Sequence, residues 1–234
     1  MIPNIEKRKE DITRRICHLW GDTTEQQIKL ITDHLIIEKF RKGDIIYKEF
    51  ERPKYMMCLI DGKVKVHKDG INKRNQIVRV IKPTDFFGLR AYFANEDYRT
   101  TAEAFEKSTV AFIPFNVLVQ LIKENYHISL YLISQLSIKL GDADQRTINL
   151  TQKHIRGRLA EALLFLKDSY GLEEDGYTLS IYLSREEMAN LSNMTTSNAI
   201  RTLSAFADEK IIAIDGRKVK ILNEKELQNI SQRG

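Results

Sequence analysis

The amino-acid sequence predicts an α+β fold in three parts: an N-terminal antiparallel β-barrel or jelly roll, a long helix, and a C-terminal winged helix-turn-helix. Three observations predict it. Between Phe40 and Ile113 short apolar runs recur between Gly and Asp turn signals. From Asn116 the apolar period becomes helical and stays so to about Leu150. From Leu183 to Phe206 two short helical patterns flank a polar junction, and an apolar hairpin follows.

Residues 5 to 38 read as helical, with Thr23 or Thr24 as a cap and Ile28, Leu30, Ile31 and Leu35 as an apolar set. Arg41-Lys42-Gly43-Asp44 then precedes a strand at Ile45–Tyr47. Asp61-Gly62 separates Met56–Ile60 from Val64–Val66, and Lys68-Asp69-Gly70 precedes Ile77–Ile81. Phe86-Phe87-Gly88 and a last strand pair, Thr100–Phe105 and Thr109–Ile113, complete the barrel, which Pro114 ends.

One helix is expected from Val117 to about Leu150. Within it Ile133, Leu136, Leu140, Ala143, Thr147 and Leu150 alternate steps of three and four, a heptad seam that predicts a parallel homodimer. A second apolar set, including Leu130, Leu132 and Ile138, is expected against the barrel. A further helix carries Ile155, Leu159, Leu163 and Leu166, and a strand is expected at Tyr177–Tyr182.

Ser184 and Glu187 have capping-box spacing at the first short helix, whose buried side is Met188, Ala189 and Leu191. Thr195 opens the second, with Ala199, Ile200, Leu203 and Phe206 expected inward. Its other face carries Thr196, Ser197, Asn198 and Arg201, with no carboxylate. Arginine pairs with guanine and asparagine with adenine in the major groove, so this face suits double-stranded DNA. Ile211–Ile214, Asp215-Gly216 and Val219–Leu222 read as a wing with Arg217 and Lys218 at its tip, suited to phosphate.

The 234 residues carry a net charge of +5, and 42% are hydrophobic. That is a globular composition whose charge permits a polyanionic partner without requiring one. Beyond residue 150 acidic and basic residues balance, so any footprint on DNA must be local: Arg201, Arg217, Lys218 and Lys220. The two cysteines, Cys17 and Cys58, stand far apart and form no CxxC pair, which argues against an iron–sulfur cluster. The N-terminal stretch is charged at once and no apolar run reaches membrane-spanning length, so a cytoplasmic protein without a membrane partner is expected. No catalytic or metal site is expected. Only His67 lies in the strand region, and P-loop, dinucleotide and nucleophile-elbow motifs are absent.

The order of barrel, dimer helix and winged helix-turn-helix resembles the Crp/Fnr family of bacterial transcription regulators, from about Leu19 to Leu222. Lys42-Gly43-Asp44-Ile45-Ile46, Ile60-Asp61-Gly62-Lys63-Val64, Gly157-Arg158-Leu159-Ala160 and Leu183-Ser184-Arg185-Glu186-Glu187 resemble its signatures. Phe86-Phe87-Gly88 with Arg99-Thr100-Thr101-Ala102 resembles the family's phosphate-binding cassette. The resemblance implies a cyclic-nucleotide-binding-like effector domain at 1–115, a dimerisation helix and hinge at 116–150, and a DNA-binding domain at 151–234.

By the same resemblance, Gly88, Leu89, Arg99, Thr100, Ala143 and Asp144 match effector-binding positions. In the cAMP-binding members a glutamate holds the ribose where this chain has Leu89, and a Thr-Ser pair meets adenine where it has Ala143 and Asp144. Tight cAMP binding is therefore not expected. No haem ligand is assigned among the five histidines, and the effector is left unidentified. Thr196, Ser197 and Arg201 match base-reading positions, while Ser184 and Arg185 match phosphate-contacting ones. RNA polymerase is the implied further partner. The competing reading is an effector-binding module that acts through protein contacts rather than DNA.

Overall fold

The computed structural model describes residues 2–70 and 75–233, including their side chains other than those of 2–5, 69, 75 and 150. Leu150 of the expected seam thus lies outside the described side chains. The chain divides into two compact units, Met1–Lys68 with Val78–Leu140, and Asp69–Ile77 with Gly141–Gly234.

The first unit opens with helices α1 (Ile2–Trp20) and α2 (Glu25–His34). Thr24 caps α2 through a reciprocal box: its hydroxyl accepts from the Gln27 amide, and the Gln27 side chain accepts from the Thr24 amide. The helical reading of residues 5 to 38 runs too far. Leu35 is already extended and Ile36–Phe40 forms β1, paired antiparallel with a later strand. Adjacent isoleucines are stiff at χ1 and favour the pleat once a partner strand is present.

Seven more strands follow: β2 (Ile45–Tyr47), β3 (Tyr55–Asp61), β4 (Val64–Asp69), β5 (Asn75–Ile81), β6 (Phe86–Phe87), β7 (Thr101–Ala104) and β8 (Ser108–Pro114). They form two four-stranded sheets, in the orders β1-β8-β3-β6 and β2-β7-β4-β5. Their inner faces enclose a core that includes Met57, Leu59, Val64, Val66, Phe87, Ala102, Val110 and Phe112. The alternate residues of β3 and β8, Met56, Cys58, Ala111 and Ile113, point the other way and pack with α1 and α2. Both strands are buried on both faces, which is why they read as unbroken apolar runs.

The expected single helix from Val117 is two. Helix α3 (Leu89–Phe93) lies within the sheet region, α4 spans Phe115–Glu124, and α5 spans Tyr126–Gln152. Asn125 separates α4 from α5 in an extended conformation. Its side-chain amide donates to the Asp22 carbonyl at 2.6 Å, and its oxygen accepts from the His127 amide at 3.0 Å. The break is a capping asparagine, without the proline or glycine that would have marked it in sequence.

The apolar sets on α5 also sort differently. Ile128 and Leu132 are buried against the first unit's core, whereas Leu130 and Ile138 are 56% and 53% exposed. Residues two apart on a helix lie about 200° apart, so Leu130 cannot share a face with Leu132.

The second unit contains α6 (Ile155–Tyr170), α7 (Arg185–Leu191), α8 (Thr196–Asp208), β9 (Ile212–Asp215), β10 (Lys218–Ile221) and α9 (Glu224–Arg233). Its interior gathers Leu159, Leu163, Met188, Leu191, Leu203, Phe206 and Leu227. The strand expected at Tyr177–Tyr182 does not form. The segment makes only single bridges, Leu172 with Leu179 and Thr178 with Lys220. Asp175 claims its backbone instead, accepting from the Tyr177 and Thr178 amides and the Thr178 hydroxyl.

Candidate nucleic-acid interface and effector loop

The helix-turn-helix is set by its caps. The Ser184 hydroxyl accepts from the Glu187 amide at 3.1 Å, and the Glu187 carboxylate accepts from the Ser184 amide at 2.9 Å. The turn passes through Asn193 at φ 50°. Asparagine tolerates that left-handed conformation better than most residues. The Thr195 hydroxyl then caps α8 through the Asn198 amide. Ala199, Leu203 and Phe206, each no more than 1% exposed, lock α8 into the interior.

Ile200, expected to face inward, does not join them: it is 47% exposed. Ala199, Leu203 and Phe206 follow the i, i+4, i+7 stripe, and Ile200 falls about 100° off it. It lies one turn beyond Thr196 and Ser197, on the face that carries Arg201 and Ser204, all exposed. Counting the step from Ala199 would have found this; hydrophobicity alone placed it inside.

Asn198 is half-buried and engaged. Its Oδ1 accepts from Arg201 Nη2 at 2.7 Å. This contact joins Asn198 to the Arg201 guanidinium and leaves the Asn198 amine and its second oxygen lone pair for other partners.

The wing closes through Gly216 and Arg217, with Asp215 opposite Lys218. Gly216 has φ 56°, suited to this tight turn. Arg185 Nη2 donates to the Gly216 carbonyl at 3.0 Å, tying the start of α7 to the wing tip. Lys218 lies 5.6 Å from the centre of the Tyr182 ring. Lys220, expected as part of the footprint, sits 3.4 Å from the Asp175 carboxylate and is partly neutralised. Arg201, Arg217 and Lys218 all stay exposed.

The candidate effector loop is built around Gly88, at φ 84° and the N-terminal boundary of α3. That backbone conformation favours glycine, and a Cβ there would also have to displace the flexible end of Met57. Leu89 turns inward and is 5% exposed within the first unit's core. Arg99, with its side chain 70% exposed, donates to Glu96 at 2.7 Å, and Arg90 donates to the other Glu96 oxygen at 2.9 Å. Arg90 first, and then Arg99, hold the Glu96 carboxyl below the usual carboxylate range. Sequence reasoning missed both Arg90 and Glu96. Burial pushes the Tyr47 phenol up, against a smaller lowering from nearby Thr100. Tyr47 stacks on Tyr98 at 3.9 Å. Ala143 and Asp144, the other expected effector positions, are exposed on α5 in the second unit.

On α5, Ile133 and Leu140 of the expected seam are 59% and 64% exposed, and Leu136 is half-buried. Tyr126, Leu130 and Ile148 extend this exposed apolar set. Both cysteines are buried, and burial, with a smaller push from Asp85, raises the Cys58 thiol to about 12. Among the described residues there is no group of three or more His, Cys, Asp or Glu able to hold a metal ion. No described helix is long and apolar enough to cross a membrane.

The described residues thus form a β-sandwich unit and a helix-turn-helix with a wing. Residues 37–125 match the cyclic nucleotide-binding domain, and residues 157–230 match the Crp-like helix-turn-helix domain. The chain belongs to the Crp/Fnr family of transcription regulators.

It is 24% identical over 201 residues to the CRP-like cAMP-activated global transcriptional regulator of Mycobacterium tuberculosis, covering 86% of this chain and 90% of that protein. It is 24% identical over 211 residues to the probable transcriptional regulator flp of Lacticaseibacillus casei, covering 90% and 93%. Among solved structures, FixK2 from Bradyrhizobium japonicum shares the fold with a TM-score of 0.75 at 24% identity, over 84% of this chain and 96% of that one.

Proposed function

We propose that this regulator binds double-stranded DNA as a homodimer on a two-fold operator. In this reading α8 lies in the major groove, the wing rests on phosphates, and α5 supplies the dimer contact. The observation that carries it is the outer face of α8. Thr196, Ser197 and Arg201 stand exposed there, while Ala199, Leu203 and Phe206 fix the helix behind them. Ser184 and Arg185 stand at the start of α7 and, with Arg217 and Lys218 at the wing tip, offer the phosphate contacts. Leu130, Ile133, Leu136 and Leu140, with small Ala143, form the contact stripe, since an apolar row of this length marks an interface. The domain limits follow as 1–115, 116–150 and 151–234. RNA polymerase is the further partner, and the chain acts in the cytoplasm without enzymatic activity.

The first unit gates DNA binding through an effector other than cAMP. The Mycobacterium relative is named as cAMP-activated, but here the ribose position is Leu89, buried in the core, and Glu96 occupies the arginine that a cyclic phosphate would use. An anionic effector would compete with Glu96 for Arg90 and Arg99. Calorimetric titration should show no cAMP affinity in the micromolar range or tighter; such affinity would overturn this part.

The DNA reading is tested by incubating full-length protein with random duplexes, separating bound DNA by gel shift, and sequencing it. Enrichment of a palindrome with half-sites about one helical turn apart is expected. Failure to enrich any palindrome, with or without trial effectors, favours a module acting through protein contacts.

A further inference from the structure

We propose that Ile200 is a specificity-determining residue that reads the C5-methyl group of a thymine in each half-site. The inference rests on the DNA-reading assignment of α8 and adds one base to it.

A single exposed isoleucine on a protein surface is ordinary. This one is set apart by its neighbours. Its i−4, i−3, i+1 and i+4 positions are Thr196, Ser197, Arg201 and Ser204, all exposed. They make up a face otherwise composed of hydrogen-bonding side chains. The other large apolar residues of α8, Leu203 and Phe206, are buried at 1% and 0%, so the outward position of Ile200 does not reflect a loosely packed helix.

In the major groove a side chain without donor or acceptor leaves any polar base edge beside it unpaired, which is unfavourable. The thymine methyl is the one apolar group a base pair presents there. Ile200 therefore selects for T·A by what it buries and against other pairs by what it leaves unsatisfied. Consecutive Cα atoms are about 3.8 Å apart and base pairs about 3.4 Å, so the thymine lies within about two base pairs of the guanine read by Arg201.

The test uses the operator enriched from random duplexes and changes the DNA by one methyl at a time. Each thymine within two base pairs of the guanine is replaced by deoxyuridine, which keeps every hydrogen bond and removes only the methyl. Affinity is then measured by fluorescence anisotropy with full-length wild-type protein and Ile200→Ala. At one position wild type should lose about fourfold in affinity when one half-site is changed, and about fifteenfold when both are, from one buried methyl each. Ile200→Ala should bind the two duplexes equally.

Wild-type binding that is indifferent to deoxyuridine at every position would overturn the inference. So would an Ile200→Ala protein that still distinguishes thymine from deoxyuridine. Because the DNA substitution needs no protein variant, a folding defect cannot mask the result. If no duplex is enriched at all, the DNA reading of α8 itself fails, which is a distinct outcome.

Discussion

Arg201 and Asn198 are hydrogen-bonded on the proposed reading face. Their 2.7 Å contact fixes the guanidinium before any base is met, and preorganisation of this kind lowers the ordering cost of binding. Arg201→Ala should cost about 1–3 kcal/mol of operator affinity and relax specificity at one base pair. Asn198→Ala should weaken the same base preference, and the double variant should be no worse than Arg201→Ala alone. Additive losses in an anisotropy titration would return Asn198 to an independent base contact.

In the candidate effector loop Glu96 meets both Arg90 and Arg99. Its carboxyl is depressed below the ordinary range, so it stays ionised as pH falls through that range and releases the arginines only below it. Glu96→Gln should raise phosphate affinity at this loop at neutral pH, as followed by phosphorus NMR titration. Unchanged phosphate binding would mean that the two guanidiniums are not an anion site.

At the scale of elements, caps and buried anchors hold α7 and α8. Ser184 satisfies the Glu187 amide, so Ser184→Ala should cost about 1 kcal/mol. Phe206 is fully buried, with the Arg156 guanidinium 4.9 Å from its ring centre, and Phe206→Ala should cost about 3–5 kcal/mol. Thermal unfolding of the full chain checks both, and equal effects would contradict this division between capping and packing.

These elements also show what sequence could reveal. The capping box at Ser184 was legible because its partner Glu187 lies three residues away, whereas at α2 the sequence left the cap open between Thr23 and Thr24. The β2, β3 and β4 strands were legible because Gly43 and Gly62 mark their turns. β1 was not, because Ile36-Ile37 is committed by pairing with β8, more than sixty positions distant. The break at Asn125 was hidden for the same reason, since its hydrogen bond runs to Asp22. Ile200 was misplaced because hydrophobicity outweighed a 100° step on the helix, and Glu96 was missed because a single carboxylate has no motif.

At the level of the whole molecule, the proposed dimer rests on the apolar stripe of α5. Tyr126, Leu130, Ile133 and Leu140 are each more than half exposed in the single chain. Replacing Ile133 and Leu140 by aspartate should leave a folded monomer in sedimentation velocity, with operator affinity reduced by at least about a hundredfold as the second half-site's contribution is lost. A variant that remains dimeric would move the interface elsewhere on the chain.

The most direct test of the central claim, that two copies of α8 read one duplex, is a hydroxyl-radical footprint of the full chain on its enriched operator. Two protected patches are expected on the same face of the DNA, centred about 10–11 base pairs apart, each spanning one half of the palindrome. A single protected patch, or two patches on opposite faces, would contradict it.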